Sequence, residues 1–98
     1  MKVVWAPVAL ERVREQARYI GEDNPWAARE WIENIFASAK RLEEFPESGR
    51  VVPELRNRAV RELLSEGYRI IYRIEDEQIS IMTVRHGRRE LSGEDLDL

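Results

Sequence analysis

The chain contains no cysteine and only one histidine, His86. Without cysteine there are no disulfides and no thiolate metal sites, and nothing indicates an oxidising compartment. A lone imidazole with scattered carboxylates is a poor metal-ligand set, so the sequence predicts neither a metal nor a cofactor. Nucleophile elbows, glycine-rich phosphate loops, HExxH and paired-acid motifs are also missing. The chain therefore belongs to no enzyme class whose motif can be identified directly.

Long apolar runs are missing as well. The opening MKVVWAPVALERV has one lysine and a short apolar run that Pro7 interrupts. It resembles neither a signal peptide nor a membrane span, so we expect a cytoplasmic protein with no membrane contact.

Length and charge limit the organisation and the partners. At 98 residues the chain has room for one hydrophobic core, so residues 1–98 are predicted to form a single domain. The net charge is −3. The last segment of the chain, 92–98, is acidic and is expected to be a flexible tail. This charge balance does not favour broad, non-specific nucleic-acid binding.

Two periodicities divide the chain. Helical spacing of apolar residues predicts an amphipathic helix from Pro7 to near Gly21 and a second from Pro25 to about Phe45. Runs of β-branched and aromatic residues predict four strands: Val3–Trp5, Val60–Leu64, Tyr68–Ile74 and Ile79–Arg85. The order predicts an α+β fold, β-α-α-β-β-β, in which the helical hairpin packs on one face of a largely antiparallel sheet.

One face of that sheet is expected to stay open. Strict alternation puts Arg69, Ile71 and Arg73 on the face away from the helices, and puts Met82 and Val84 together on one face of the last strand. Since a two-helix hairpin covers one face only, the other is predicted to expose apolar surface rimmed by arginine, which is typical of a binding site.

The stretch VRHGRRE gathers His86 with Arg85, Arg88 and Arg89. Under one interpretation it is nucleolytic: the histidine transfers a proton and the guanidinium groups stabilise phosphate charge. Under the other it is a strand end with a turn and solvated arginines, which is the commoner case for a lone histidine.

Arg50, Arg56, Arg58 and Arg61 form a second basic cluster. It leads into the predicted strand Val60–Leu64. It is either an anion-binding rim or a set of surface ion pairs with Glu54 and Glu62.

The tryptophans of the second helix are expected to differ in burial. Trp31, with Phe36, flanks the apolar stripe and is predicted to be in the core. Trp26 lies nearly opposite that stripe, so it either folds over the interhelix turn or meets a partner.

In their order, the segments NPWAAREWIENI, LEEFPESGRVVPEL, VREL, GYRIIYRI and IMTVRHGRREL resemble the RelE/ParE superfamily of bacterial toxin–antitoxin toxins. The resemblance covers residues 2–91 and implies the α+β fold described above. It also implies a cognate small antitoxin that wraps a segment over the toxin's open surface, giving a hetero-oligomer. We expect Trp26, Arg69, Ile71 and Arg73 to bind it.

The resemblance leaves two kinds of target open. RelE-like members cut messenger RNA on the ribosome; for them the resemblance makes His86, Arg89 and Arg61 the candidate catalytic residues. ParE-like members poison DNA gyrase and need no hydrolytic site. Leu64 stands where the nucleases have an arginine, and their tyrosine after GRRE is missing. The FPESGRVVPEL loop also resembles the ParE or plasmid-stabilisation branch.

We therefore expect a gyrase-binding toxin, with a ribosome-dependent ribonuclease as the alternative. The side chains expected to recognise the target or an anion are Arg56, Arg58, Arg61, Arg85, Arg88 and Arg89.

Overall fold

The computed structural model describes residues 1–87 and residue 91. The elements follow one another as β1 (Lys2–Trp5), α1 (Pro7–Asp23), α2 (Pro25–Lys40), a 3₁₀ turn (Arg41–Glu43), β2 (Arg50–Val51), β3 (Val60–Ser65), β4 (Tyr68–Ile74) and β5 (Gln78–His86). The strands form one sheet of five in the order β1-β5-β4-β3-β2, where β1 is parallel to β5 and the other pairs are antiparallel. The predicted α+β fold and order of elements are confirmed, and the short β2 is an addition inside the expected loop.

The two helices are separated by a single residue, Asn24. Its backbone N–H donates to Ile20 O, ending α1, while its side chain accepts a hydrogen bond from Ala27 N at 3.0 Å, starting α2. Pro7 and Pro25 occupy the first helical positions, where no N–H is needed. α1 runs two residues past the predicted end at Gly21, and α2 tightens into the 3₁₀ turn before Pro46. Neither helix, within the part of the chain that the structure describes, is long and apolar enough to cross a membrane.

The main core lies between the helices and the sheet. It is formed by Ala9, Val13, Trp31, Ile35, Ala39, Leu42, Ile70, Tyr72, Ile79, Ile81 and Val84. Trp31 is buried as predicted, while Phe36 is 37% exposed and packs at the rim against Trp5, with ring centroids 4.7 Å apart. Trp26 is 77% exposed on the first turn of α2, so it does not fold over the interhelix turn.

A β-bulge in β5 changes which side chains face the helices. Ile71 and Tyr72 are consecutive in β4, but their partners in β5 are Thr83 and Ile81, so Met82 is the extra residue. Beyond the bulge the alternation is shifted by one position. Val84 therefore joins the core with Ile81, and Thr83 lies on the opposite face. The prediction that Val84 shares a face with Met82, away from Ile81, is wrong because strict alternation assumes a regular strand.

The sheet face away from the helices, here called the outer face, is partly covered by the chain itself. Residues 52–59, here called the outer-face loop, fold across it, and Val52, Val60 and Ile71 form a second buried cluster there. Leu55, Met82 and Leu91 pack against this cluster. Ile71 is 0% exposed and Arg69 only 5% exposed, so the expectation that both are open to a partner is wrong. The loop supplies the apolar cover that the helices do not.

Candidate functional site

A buried ion-pair cluster lies under the outer-face loop. Arg69 in β4 donates from Nε to Glu62 Oε1 at 3.1 Å, and its two terminal nitrogens bind both oxygens of Glu54 at 3.0 and 2.9 Å. The other oxygen of Glu62 accepts from Arg50 Nε at 3.0 Å. Glu62 is 1% exposed, so two guanidinium groups neutralise one fully buried carboxylate. This arrangement satisfies the rule that a buried charge needs both a partner and hydrogen bonds.

The electrostatics of the cluster follow from these contacts. The bidentate hydrogen bond from Arg69 lowers the pKa of Glu54 to about 2, against the opposing effect of burial. The same hydrogen bond from Glu54, with a further one to Glu62, raises the pKa of the Arg69 guanidinium above its ordinary value. Glu54 and Arg69 are thus both charged at neutral pH, and the formal charges of the two arginines and two glutamates of the cluster sum to zero.

Glu54 also reaches the chain beyond β5. Its Oε2 accepts a hydrogen bond from Leu91 N at 3.3 Å, and Leu91 packs on the apolar cluster of the outer face. One carboxylate therefore links the outer-face loop, β4 and Leu91. The cluster acts as a structural clamp rather than a catalytic acid, because its oxygens are occupied by internal donors.

Arg61, a candidate catalytic residue, is engaged in holding a loop. Its Nε donates to Arg58 O at 3.1 Å and its Nη1 donates to Gly49 O at 3.0 Å. The same loop is held by the Tyr72 hydroxyl, which donates to Pro46 O at 2.7 Å and accepts from Gly49 N at 2.9 Å. The FPESGR stretch thus has a structural explanation, because Pro46 and Gly49 both bind the Tyr72 hydroxyl.

Within the described part of the VRHGRRE segment, Arg85 and His86 lie on opposite faces of the strand. In β5, Arg85 lies opposite Arg69 and His86 lies opposite Tyr68, so strand alternation sends Arg85 to the outer face and His86 to the helix side. The His86 and Tyr68 rings pack edge to face with centroids 5.3 Å apart. Arg88 and Arg89 lie outside the described residues, as does the acidic segment 92–98.

His86 borders a cavity between α1 and the ends of β4 and β5. The cavity is about 230 Å³ and is lined by Arg12, Glu15, Gln16, Tyr68, Val84, Arg85 and His86. Burial, and to a smaller extent the nearby Tyr19 phenol, raises the pKa of Tyr68. A histidine, an arginine and a carboxylate therefore surround one small space, and these are residue types that general acid–base catalysis uses.

The remaining predicted residues occupy separate places. Arg56 and Arg58 are exposed on the outer-face loop, where Arg56 adopts the left-handed region with φ of 53°. Arg73 is half-buried on the outer face, and its Nε has no hydrogen-bond partner within residues 1–87 and 91. In the same part of the chain, no three carboxylate or imidazole groups lie close enough together to hold a metal ion.

Sequence reasoning considered Glu54 and Glu62 only as partners in surface ion pairs, and it missed Tyr68. Glu62 carried the clearest signal, because it stands between Val60 and Leu64 at alternate positions of an apolar strand. An acid at such a position indicates a paired arginine. The rest of the cluster depends on loop folding, which left no periodic signal.

Comparison with known proteins identifies the family. The model of the ParE toxin family of type II toxin–antitoxin systems, parDE, matches residues 3–91. A putative toxin, Y4kP, of Sinorhizobium fredii is 34% identical over 91 residues, covering 91% of this chain and 91% of that protein. Toxin RelE2 of Caulobacter vibrioides is 34% identical over 89 residues, covering 90% of this chain and 97% of that one.

A solved structure supports the fold independently. A chain of the chromosomal ParDE toxin–antitoxin system from P. aeruginosa superimposes with a TM-score of 0.73 at 20% identity, covering 88% of this chain and 95% of that one. Together with the α+β topology and the matched family model, these similarities establish that the chain belongs to the ParE toxin family within the RelE/ParE superfamily of type II toxin–antitoxin toxins.

Proposed function

We propose that this chain acts in the cytoplasm as a toxin that binds and poisons DNA gyrase, and that a small cognate antitoxin neutralises it by forming a hetero-oligomer. The exposed arginines of the outer-face loop, Arg56 and Arg58, with Arg85, Arg88 and Arg89, form the target-recognition set. Trp26 and Arg73 are the antitoxin-binding candidates that remain accessible.

The observation that carries this proposal is the separation of two of the nuclease candidates, Arg61 and His86, within the described residues. Arg61 uses Nε and Nη1 to hold backbone carbonyls of its own chain. His86 lies on the helix side of the sheet at the end of β5, where it pairs with Tyr68 of β4. Arg61 in β3 pairs with Tyr72, four residues further along β4. A phosphate bound beside His86 would therefore not be contacted by Arg61. A toxin that acts by protein binding needs no such convergence.

A gyrase assay tests the proposal. Purified protein is titrated into gyrase and relaxed plasmid, and cleaved DNA is quantified after detergent treatment. We expect cleavage complexes to accumulate, and the double variant Arg56→Gln/Arg58→Gln to need about tenfold more protein because charged rim contacts guide association. His86→Gln is the matched control and should behave like the parent protein. Unchanged gyrase activity at saturating protein would contradict the proposal.

The second candidate function is a ribosome-dependent messenger-RNA endonuclease. The observation in its favour is the cavity that brings His86 near Arg12 and Glu15. One of the similar curated proteins is also named a RelE toxin. Here His86 would transfer a proton at the cleaved phosphodiester while a neighbouring guanidinium stabilises its charge.

Cleavage on programmed ribosomes distinguishes this candidate. It predicts cut messenger RNA that disappears with His86→Gln, whereas Arg18→Gln on the exposed side of α1 should retain cleavage. Thermal unfolding of both variants checks that the fold is intact. Absence of cleavage with the parent protein would exclude this function.

A further inference from the structure

A groove of about 470 Å³ opens at the end of the sheet where β1 begins and β4 ends. It is here called the Phe45 groove, and it is lined by Met1, Phe45, Pro46, Glu47, Ser48 and Ile74. Ile74 packs against the main core, so the groove is on the helix side of the sheet. None of its lining residues borders the His86 cavity or belongs to the outer-face loop. The groove is therefore a separate feature of the molecule.

The surface of the groove is largely apolar. The Phe45 side chain is 61% exposed and Met1 is 45% exposed, while Pro46 and Ile74 are half-buried. Large apolar side chains that line one concavity and stay open to water are typical of an interaction site. The volume also lies in the range of about 300 to 1,000 Å³ that is common for binding pockets.

Internal hydrogen bonds hold the walls of the groove in place. Phe45 precedes Pro46, whose carbonyl oxygen accepts from the Tyr72 hydroxyl at 2.7 Å. In the opposite wall, Ile74 N donates to Ala59 O at 2.8 Å. Walls that are already fixed need little ordering when a ligand binds, which lowers the entropic cost of association.

The rim of the groove carries negative charge. Glu47 lies in the wall itself, and Glu44 immediately precedes Phe45. Neither carboxylate forms an ion pair within residues 1–87 and 91. The turn after β4, residues 75–77, adds three exposed acids at the same end of the sheet.

Cations near the groove are fewer than these acids. The ammonium group of Met1 donates to Glu43 O at 3.0 Å, and Lys2 and Lys40 are exposed nearby in the chain. Arg41 lines a different hollow, beside β3. The rim therefore repels phosphate groups, whether of nucleic acid or of an anionic membrane, and attracts a cationic partner.

We propose that the Phe45 groove binds a short segment of a partner protein that is both basic and apolar. One apolar side chain of the segment packs on Phe45 and Ile74, while its lysine or arginine side chains pair with Glu44 and Glu47. This site goes beyond the proposed function, because its charge is opposite to that of the arginines assigned to target recognition. It therefore selects a partner segment of different chemistry.

Peptide binding followed by nuclear magnetic resonance tests the proposal. The probe is a short peptide that alternates lysine with leucine, and the matched control peptide alternates glutamate with leucine. We expect the Ile74 methyl and Phe45 ring signals to move on titration with the lysine peptide. The glutamate peptide should bind about tenfold more weakly, since its charges are repelled by the rim.

An aromatic variant tests the apolar contact. Phe45→Ala should weaken lysine-peptide binding about tenfold, because it removes the most exposed apolar wall of the groove. Tyr19→Ala removes another aromatic ring, 70% exposed on α1, and should bind like the parent protein. Equal weakening by both variants would contradict the assignment.

Charge variants test the acidic rim without touching the apolar wall. Glu44→Gln/Glu47→Gln should weaken lysine-peptide binding about fivefold, as expected for two exposed ion pairs. The control Glu22→Gln/Glu30→Gln makes the same change in net charge on the helical hairpin and should bind normally. All four glutamates are exposed, so both double variants should keep the parent fold, and thermal unfolding checks this.

Three further outcomes would overturn the inference. The Ile74 and Phe45 signals could stay unmoved at saturating lysine peptide, or the two peptides could bind equally. A single-stranded oligonucleotide, anionic phospholipid vesicles or dilution of the protein itself could instead move these signals, which would assign the groove to nucleic acid, to a membrane or to a second copy of the chain. None of these measurements involves gyrase, so failure here is distinguishable from failure of the proposed function.

Discussion

Arg69 in β4 and Glu62 in β3 are diagonal neighbours with Nε and Oε1 3.1 Å apart, and both side chains are almost excluded from solvent. Replacing Glu62 with glutamine leaves Arg69 and Arg50 with less compensating charge in a buried setting. We expect Glu62→Gln to lower the free energy of unfolding by about 3 to 5 kcal/mol, measured by urea denaturation. Glu77→Gln, at an exposed position, should change it by less than about 0.5 kcal/mol. Similar small changes in both variants would show that the pair is dispensable.

The Glu54 clamp predicts a particular pH dependence. Its pKa falls from 4.5 in the unfolded chain to about 2 in the folded protein, so it contributes stability above the unfolded value and loses that contribution as pH falls towards 2. The difference in unfolding free energy between the parent protein and Glu54→Gln should therefore be constant above about pH 5.5 and shrink between about pH 4.5 and 2. Denaturation at a series of pH values measures it. A difference that grows on acidification would contradict the assigned role.

Gly49 is predicted to tolerate no side chain. A Cβ at this position would lie 2.6 Å from Glu62 O and 2.6 Å from the Tyr72 hydroxyl, and the first of these is backbone that cannot swing aside. We expect Gly49→Ala to destabilise the protein by about 1 to 3 kcal/mol or more in thermal unfolding. The control is Gly21→Ala in α1, where the new Cβ makes an ordinary contact with Ala28 at 3.5 Å. That variant should be neutral or more stable by about 0.5 to 1 kcal/mol.

Replacing the two tryptophans of α2 with alanine is expected to change stability by very different amounts, because only one of them is buried. Trp31 is 6% exposed and packs its ring on Tyr68, so Trp31→Ala should cost about 3 to 5 kcal/mol of stability. Trp26→Ala should change stability by less than about 0.5 kcal/mol because the side chain is 77% exposed. Calorimetry measures both. A large loss for Trp26→Ala would place that residue in the fold rather than on a binding surface.

Periodicity accounted for the regular elements but not for their irregular neighbours. Apolar spacing located both helices because each buries one stripe, and Pro25 marked the start of the second. The bulge at Met82 had no such signal. One extra residue leaves the local composition of β5 unchanged while reversing the facing of Thr83 and Val84. Bulges depend on how two strands pair, which a pattern along one strand does not contain.

The candidate site was predictable by residue type but not by geometry. The sequence drew attention to its arginine-rich segments, yet Arg61 and Arg69 bind internal acceptors and Arg85 and His86 point to opposite faces. The decisive partners, Glu54 and Glu62, come from an irregular loop and a neighbouring strand. Because ion pairs form between segments distant in sequence, charge counts along the chain did not reveal which arginines remain available.

The pairing of β1 with β5 also constrains when this protein can fold. Val3 pairs with Ile79 and Trp5 pairs with Ile81. The first strand to be synthesised therefore cannot pair until the last strand has been made. The helical hairpin can form early from local contacts, but the sheet has no complete core-facing surface until β5 is available. Translation must therefore run through nearly the whole described chain before the folded toxin exists. Synthesis interrupted before β5 would yield an unfolded fragment, open to proteolysis, instead of a partly active protein.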